Sequence, residues 1–97
     1  MNHLIQQAIA DRKLVEFHYQ GLIRIAEPHV YGCIGLIEQL LVYQVRGPDN
    51  MKQQTRWRVI PLPQISNLRV LDETFDGKRA RAAHYTFTWD ATFAMVP

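Results

Sequence analysis

The sequence predicts a mainly β domain: five or six short strands in a small, strongly bent sheet or barrel, led by one α-helix. Three observations carry this. Apolar residues recur at helical spacing only near the N-terminus, and from Leu14 the period changes to two. Turn signals then divide the alternating stretches, at Gln20-Gly21 and at Gly47-Pro48-Asp49-Asn50. Between them, Glu27-Pro28-His29-Val30-Tyr31-Gly32 opens a series of β-type segments. The series runs through Tyr43-Gln44-Val45-Arg46-Gly47 and Arg56-Trp57-Arg58 and closes at Leu71-Asp72-Glu73-Thr74-Phe75. So few strands bury their edges best by curling.

The elements follow in order. Leu4, Ile5, Ala8 and Ile9 form the apolar stripe of a helix over residues 3–13, with Asn2 as its N-cap. A helix this short must lay its stripe on the rest of the domain. Val15, Phe17 and Tyr19 alternate with Glu16 and His18, and Leu22 to Ala26 returns as the second strand of a hairpin. Pro28 has no N–H to donate and marks an edge, bulge or bend, while Tyr31 to Gly35 reads as a second turn. Ile37 to Arg46, apolar on both faces near its middle, is the pattern of a central strand. Thr55 to Leu62 and Leu68 to Leu71 are shorter strands, the second placed after a Ser66-Asn67 turn. The aromatic run Tyr85-Thr86-Phe87-Thr88-Trp89 has two readings, a sixth strand of this sheet or an element that pairs with another subunit.

The totals set the class. The 97 residues, 47% hydrophobic and 21% charged, make one globular domain with a thin core that a partner subunit would help. A net charge of +2 does not by itself argue for nucleic acid, but eight of the eleven cations are arginine. The planar guanidinium fork suits phosphate, carboxylate and aromatic faces, whereas lysine would serve surface solvation as well. Cys33 is the only cysteine, so an internal disulfide is excluded and a cytoplasmic setting with a buried structural thiol is expected. The N-terminus lacks the pattern of a signal peptide, and no apolar run is long enough for a bilayer, so no membrane partner is expected.

Read in order, the segments resemble a WYL-type domain, the Sm-like barrel of bacterial transcription regulators. The resemblance rests on Val15-Glu16-Phe17-His18-Tyr19 after a helix, on Arg24 with Glu27-Pro28, and on the closing stretch from Ile65 to Phe75. It covers Leu4 to Phe75. The triplet that names the family falls on Gln39-Leu40-Leu41, and two arginines usual in it fall on Pro61 and Gln64. The resemblance implies one domain over 1–97, with the helix at 3–13, the barrel at 14–75 and a tail at 76–97. It also implies a stand-alone sensor that binds a small anionic ligand or single-stranded nucleic acid and reports to a regulator partner.

The residues point the same way. Arg24, Arg46, Arg56 and Arg58 would gather into one anion site if their strands are neighbours, with Arg56 and Arg58 on one side of a strand and Trp57 on the other. The bland alternative is a solvated face with ion pairs to Glu16, Glu27 or Glu38. His29 and Tyr31 share a parity, so they either present a donor and a ring to one ligand or serve as turn cap and wall. Tyr43 is a wall residue whose ring or hydroxyl could add shape or stacking at the barrel mouth. Catalysis finds no support: Asp72 and Glu73 diverge on a strand, Ser66 has no histidine near it in sequence, and the four histidines lack metal-ligand spacing. The expectation is a non-enzymatic binding module without metal or cofactor, self-associating as a homo-oligomer; the alternative is a structural or interaction subunit that assembles through its C-terminal strand.

Overall fold

The computed structural model describes residues 2–47, 56–79 and 88–97. Helix α1 spans Asn2–Asp11. It stops two residues short of the expected end because Arg12 takes a left-handed conformation, φ 56°, that reverses the chain directly into a strand. The strands are β1 (Lys13–Tyr19), β2 (Leu22–Ile34), β3 (Ile37–Arg46), β4 (Trp57–Pro61), β5 (Ser66–Thr74) and β6 (Ala91–Met95). A 3-10 turn at Leu62–Gln64, begun by the two prolines, links β4 to β5. All pairings are antiparallel, in the order β4-β3-β2-β1-β5.

β2 organises the sheet. The Gln20-Gly21 turn joins it to β1 with both residues at positive φ, the geometry a two-residue hairpin needs. Its first half pairs with β1 and its second half with β6, both along one edge, while β3 runs along the other. The stretch from Tyr31 onward, expected to turn, continues as strand to Ile34. Gly32 is what permits this. A Cβ there would collide with the Ala91 carbonyl and lie 2.7 Å from the Trp89 ring, so only glycine lets β6 approach. Pro28 falls between the β1-paired and β6-paired halves, where its missing N–H costs no ladder bond, and a bulge against β3 follows between Pro28 and Val30.

The sheet is strongly bent but not closed, with β4 and β5 as its two ends. Helix α1 packs across β2, β6, β1 and β5 on one face of the sheet. Ile5, Ala8 and Ile9 of the helix pack with Val15, Phe17, Ala26, Tyr31, Leu40, Val42, Ile60 and Val96 in one cluster. Each fully buried aliphatic or aromatic side chain contributes about 1.5–3 kcal/mol by leaving water.

The expected sixth strand at Tyr85–Trp89 falls mostly outside the described residues, and β6 lies further on. Asn67 sits inside β5 at φ 53°, so the Ser66-Asn67 turn is a local kink within that strand. Cys33, expected to be buried, is half-buried, and its thiol donates to the Gly35 carbonyl at 3.3 Å. Among the described residues, no helix is long and apolar enough to cross a membrane.

Candidate anion and guanidinium sites

Opposite residues on paired strands project to the same side, so the ladder sorts side chains between the two faces. On the core face, Phe17 stands opposite Arg24, Ala26 opposite Gln44, and Val42 opposite Arg58. Arg24 is 5% exposed, a rare burial for an arginine. Its Nη1 donates to Gln44 Oε1 at 2.9 Å and its Nε to the Tyr19 carbonyl at 3.5 Å, with the guanidinium 5.3 Å from the Tyr19 ring centre. Arg56 keeps phase with Arg58, since its carbonyl accepts the Gln44 N–H at 2.9 Å. Gln44 is held upright at this end because Gly47 leaves room for its amide: a Cβ there would stand 2.9 Å from Nε2, at φ 154°. Three strands thus bring Arg24, Arg56 and Arg58 to one end of the core face, around Gln44.

Arg46 leaves this group. β3 carries one extra residue between its pairings to Ile25 and Ala26, and the bulge turns Arg46 to the other side. There it forks onto Glu73 at 2.6 and 3.1 Å, with both side chains about half exposed. The hydrogen bond from Arg46 holds the Glu73 carboxyl below its ordinary range.

The opposite face holds a second cluster. Glu27 stands opposite Tyr43, and Tyr43 opposite Trp57. Arg79 crosses over them: its Nε and Nη2 donate to Glu27 Oε1 and Oε2 at 2.9 and 2.8 Å, and its guanidinium lies 3.7 Å from the centre of the Tyr43 ring. His29, wholly buried, donates from Nε2 to Glu27 Oε1 at 2.9 Å, which requires the proton on that nitrogen. Its ring meets Trp57 edge-on at 4.9 Å and Phe75 at 5.3 Å, and its carbonyl accepts the Val96 N–H. Burial would push the Glu27 carboxyl up. The hydrogen bonds from Arg79 and His29 outweigh burial and leave the carboxyl below its ordinary value of 4.5. A pocket of about 420 Å³ opens beside this cluster, walled by Glu27 and residues 74–79.

The shared presentation expected of His29 and Tyr31 does not occur. The bulge after Pro28 breaks their parity, leaving His29 with Glu27 and Trp57 while Tyr31 joins the core opposite Leu40. Tyr31 donates to Glu38 at 2.8 Å, and burial together with that carboxylate pushes its hydroxyl up to about 12. Tyr43 does stack a guanidinium, but it is the chain's own. Trp57 points away from Arg58, as its position requires, yet packs on the Glu27 face and not in the helix-covered core.

Sequence reasoning missed Gln44 and Tyr19 as the groups that seat Arg24, and Glu27 with Arg79 as an ion pair 52 residues apart. The alternation that puts Gln44 two residues from Val42 was the usable signal for the first; no local pattern signals the second. Of the three acids that ion pairing was expected to engage, two are engaged, by different arginines: Glu16 by Arg69 and Glu27 by Arg79, while Glu38 accepts from Tyr31. Among the described residues, no group of His, Cys, Asp and Glu is arranged to hold a metal. Comparison with protein-family models, curated proteins and solved structures finds no match to this chain.

Proposed function

We propose that the protein is a non-enzymatic sensing module of WYL type, which binds a small anionic, nucleotide-like ligand and passes that state to a regulator partner. The observation that carries this reading is the burial of Arg24 at the end of the core face, with Arg58 and Arg56 in phase on the same side. The Gln44 amide oxygen accepts from the Arg24 guanidinium and fixes its direction. Two further guanidinium groups, Arg58 on β4 and Arg56 just before it, lie across β3 from Arg24 on the same face, so this end of the sheet gathers three cations among the described residues. Each charge-assisted contact to a phosphate contributes about 1.5–3 kcal/mol. Tyr19 takes the stacking role expected of Tyr31 and Tyr43.

The test is titration of adenosine monophosphate and of a short oligothymidylate into wild type, Arg56→Ala and Arg58→Ala. The reading predicts that each substitution weakens binding at least tenfold, with a shallow dependence on salt. Unchanged affinity in both variants overturns it. A steep salt slope confined to the oligothymidylate would assign the site to single-stranded nucleic acid instead.

A further inference from the structure

The second cluster has the parts of a receptor for a guanidinium group. Glu27 offers both carboxylate oxygens to one planar fork, and its side chain is only 7% exposed. His29 fixes the carboxylate from behind at 2.9 Å. Tyr43 supplies an aromatic face at stacking distance, steadied by Trp57 edge-on at 5.2 Å. Carboxylate, flat ring and low exposure are the features that make a guanidinium preferable to an ammonium.

What distinguishes this site from an ordinary ion pair is how its two halves are mounted. Glu27 and Tyr43 face each other across paired β2 and β3, so the receptor half is part of the sheet. Arg79 belongs to neither helix nor strand, and its side chain is 40% exposed. The pocket of about 420 Å³ reaches Glu27 from the side of the segment that carries Arg79. A rigid receptor with an irregularly mounted occupant and open space beside it is built for exchange.

We propose that Glu27, His29 and Tyr43 form a guanidinium-binding site, occupied here in cis by Arg79, which accepts an external guanidinium ligand in its place. The two sources of that chemistry are a free guanidino compound and the arginine side chain of a partner polypeptide. Because Arg79 is tethered, an outside ligand competes against a high effective concentration, and removing Arg79 uncovers the full affinity. Arg79 is thus a built-in competitor, and displacing it frees the Arg79 side chain from the sheet.

The experiment titrates N-methylguanidinium chloride into Arg79→Ala and wild type, with methylammonium chloride at equal ionic strength as control. Tryptophan fluorescence and melting temperature are the readouts. The expected result is saturable binding to Arg79→Ala that methylammonium does not reproduce, at least tenfold weaker in wild type, and lost in Arg79→Ala/Tyr43→Leu. If Arg79→Ala does not fold, Arg79→Lys, which keeps a charge beside Glu27, is read by the same criteria. A blocked arginine tripeptide, compared with agmatine on wild type, separates the two sources by which displaces Arg79 at the lower concentration. No saturable binding in the variant overturns the proposal. So does equal binding in variant and wild type, which would place the probe elsewhere.

Discussion

The two faces of the β2–β3 pair each hold a guanidinium, and they use it in opposite ways. On the core face Arg24 is 5% exposed and seated by neutral oxygens, the Gln44 amide and the Tyr19 carbonyl. On the other face Arg79 is far more exposed, yet its fork is taken up by a buried carboxylate and a tyrosine ring. On the function proposed above, the chemistry of the seat, and not burial alone, separates a ligand-binding arginine from a structural one. An amide orients the charge and leaves its field in place, whereas a carboxylate cancels it.

The contrast is broken most severely at Glu27. Replacing it by Ala removes the acceptor of three hydrogen bonds and leaves His29 buried beside Arg79. The expected loss is about 2–4 kcal/mol in chemical denaturation, the range for breaking a buried pair discounted because Arg79 is partly exposed. A loss under about 1 kcal/mol would mean that the Glu27–Arg79–His29 cluster contributes little to the stability of the fold.

At Arg24 the prediction is of a different kind. Arg24→Met keeps the packing volume and removes a buried charge, a change that is often neutral or favourable for stability. Stability should stay within about 1.5 kcal/mol of wild type, while affinity for adenosine monophosphate falls at least tenfold. A destabilised variant that still binds would reverse the assignment of the two faces.

Acid sharpens the same comparison. The Glu27 carboxyl is depressed in the folded protein, so its contribution is fully present above the ordinary value of 4.5 and is lost as pH falls through the folded value. Wild-type stability should therefore drop below about pH 4.5, and Glu27→Gln should flatten that slope. An unchanged slope in Glu27→Gln would assign the acid transition to other carboxylates.

The smallest effect is expected at Arg46. Its pair with Glu73 is exposed on both sides, so Arg46→Ala should leave the melting temperature unchanged.

Much of the fold was legible because alternation is a local property. β3 was read to its ends, Ile37 to Arg46, since both faces and the Gly47-Pro48 stop signal are written in consecutive residues. The second half of β2 was not. Tyr31 to Gly35 reads as a turn, but pairing with β3 and β6 keeps Tyr31 to Ile34 extended and the chain turns only at Gly35-Leu36. The candidate site failed at the same kind of place. Two bulges, one after Pro28 and one at Val45, shift His29 against Tyr31 and Arg46 against Arg24, and a bulge is set by the partner strand. Arg24 and Arg58 share a face because the ladder between them keeps its phase through Gln44 and Val42.

The most direct test is a single calorimetric comparison of Arg58→Ala and Arg46→Ala, each titrated with adenosine monophosphate beside wild type. If the seat decides the role, Arg58→Ala binds at least tenfold more weakly and Arg46→Ala binds as wild type does. Equal losses in the two variants would show that the ligand responds to overall charge, and the distinction between the faces would fall.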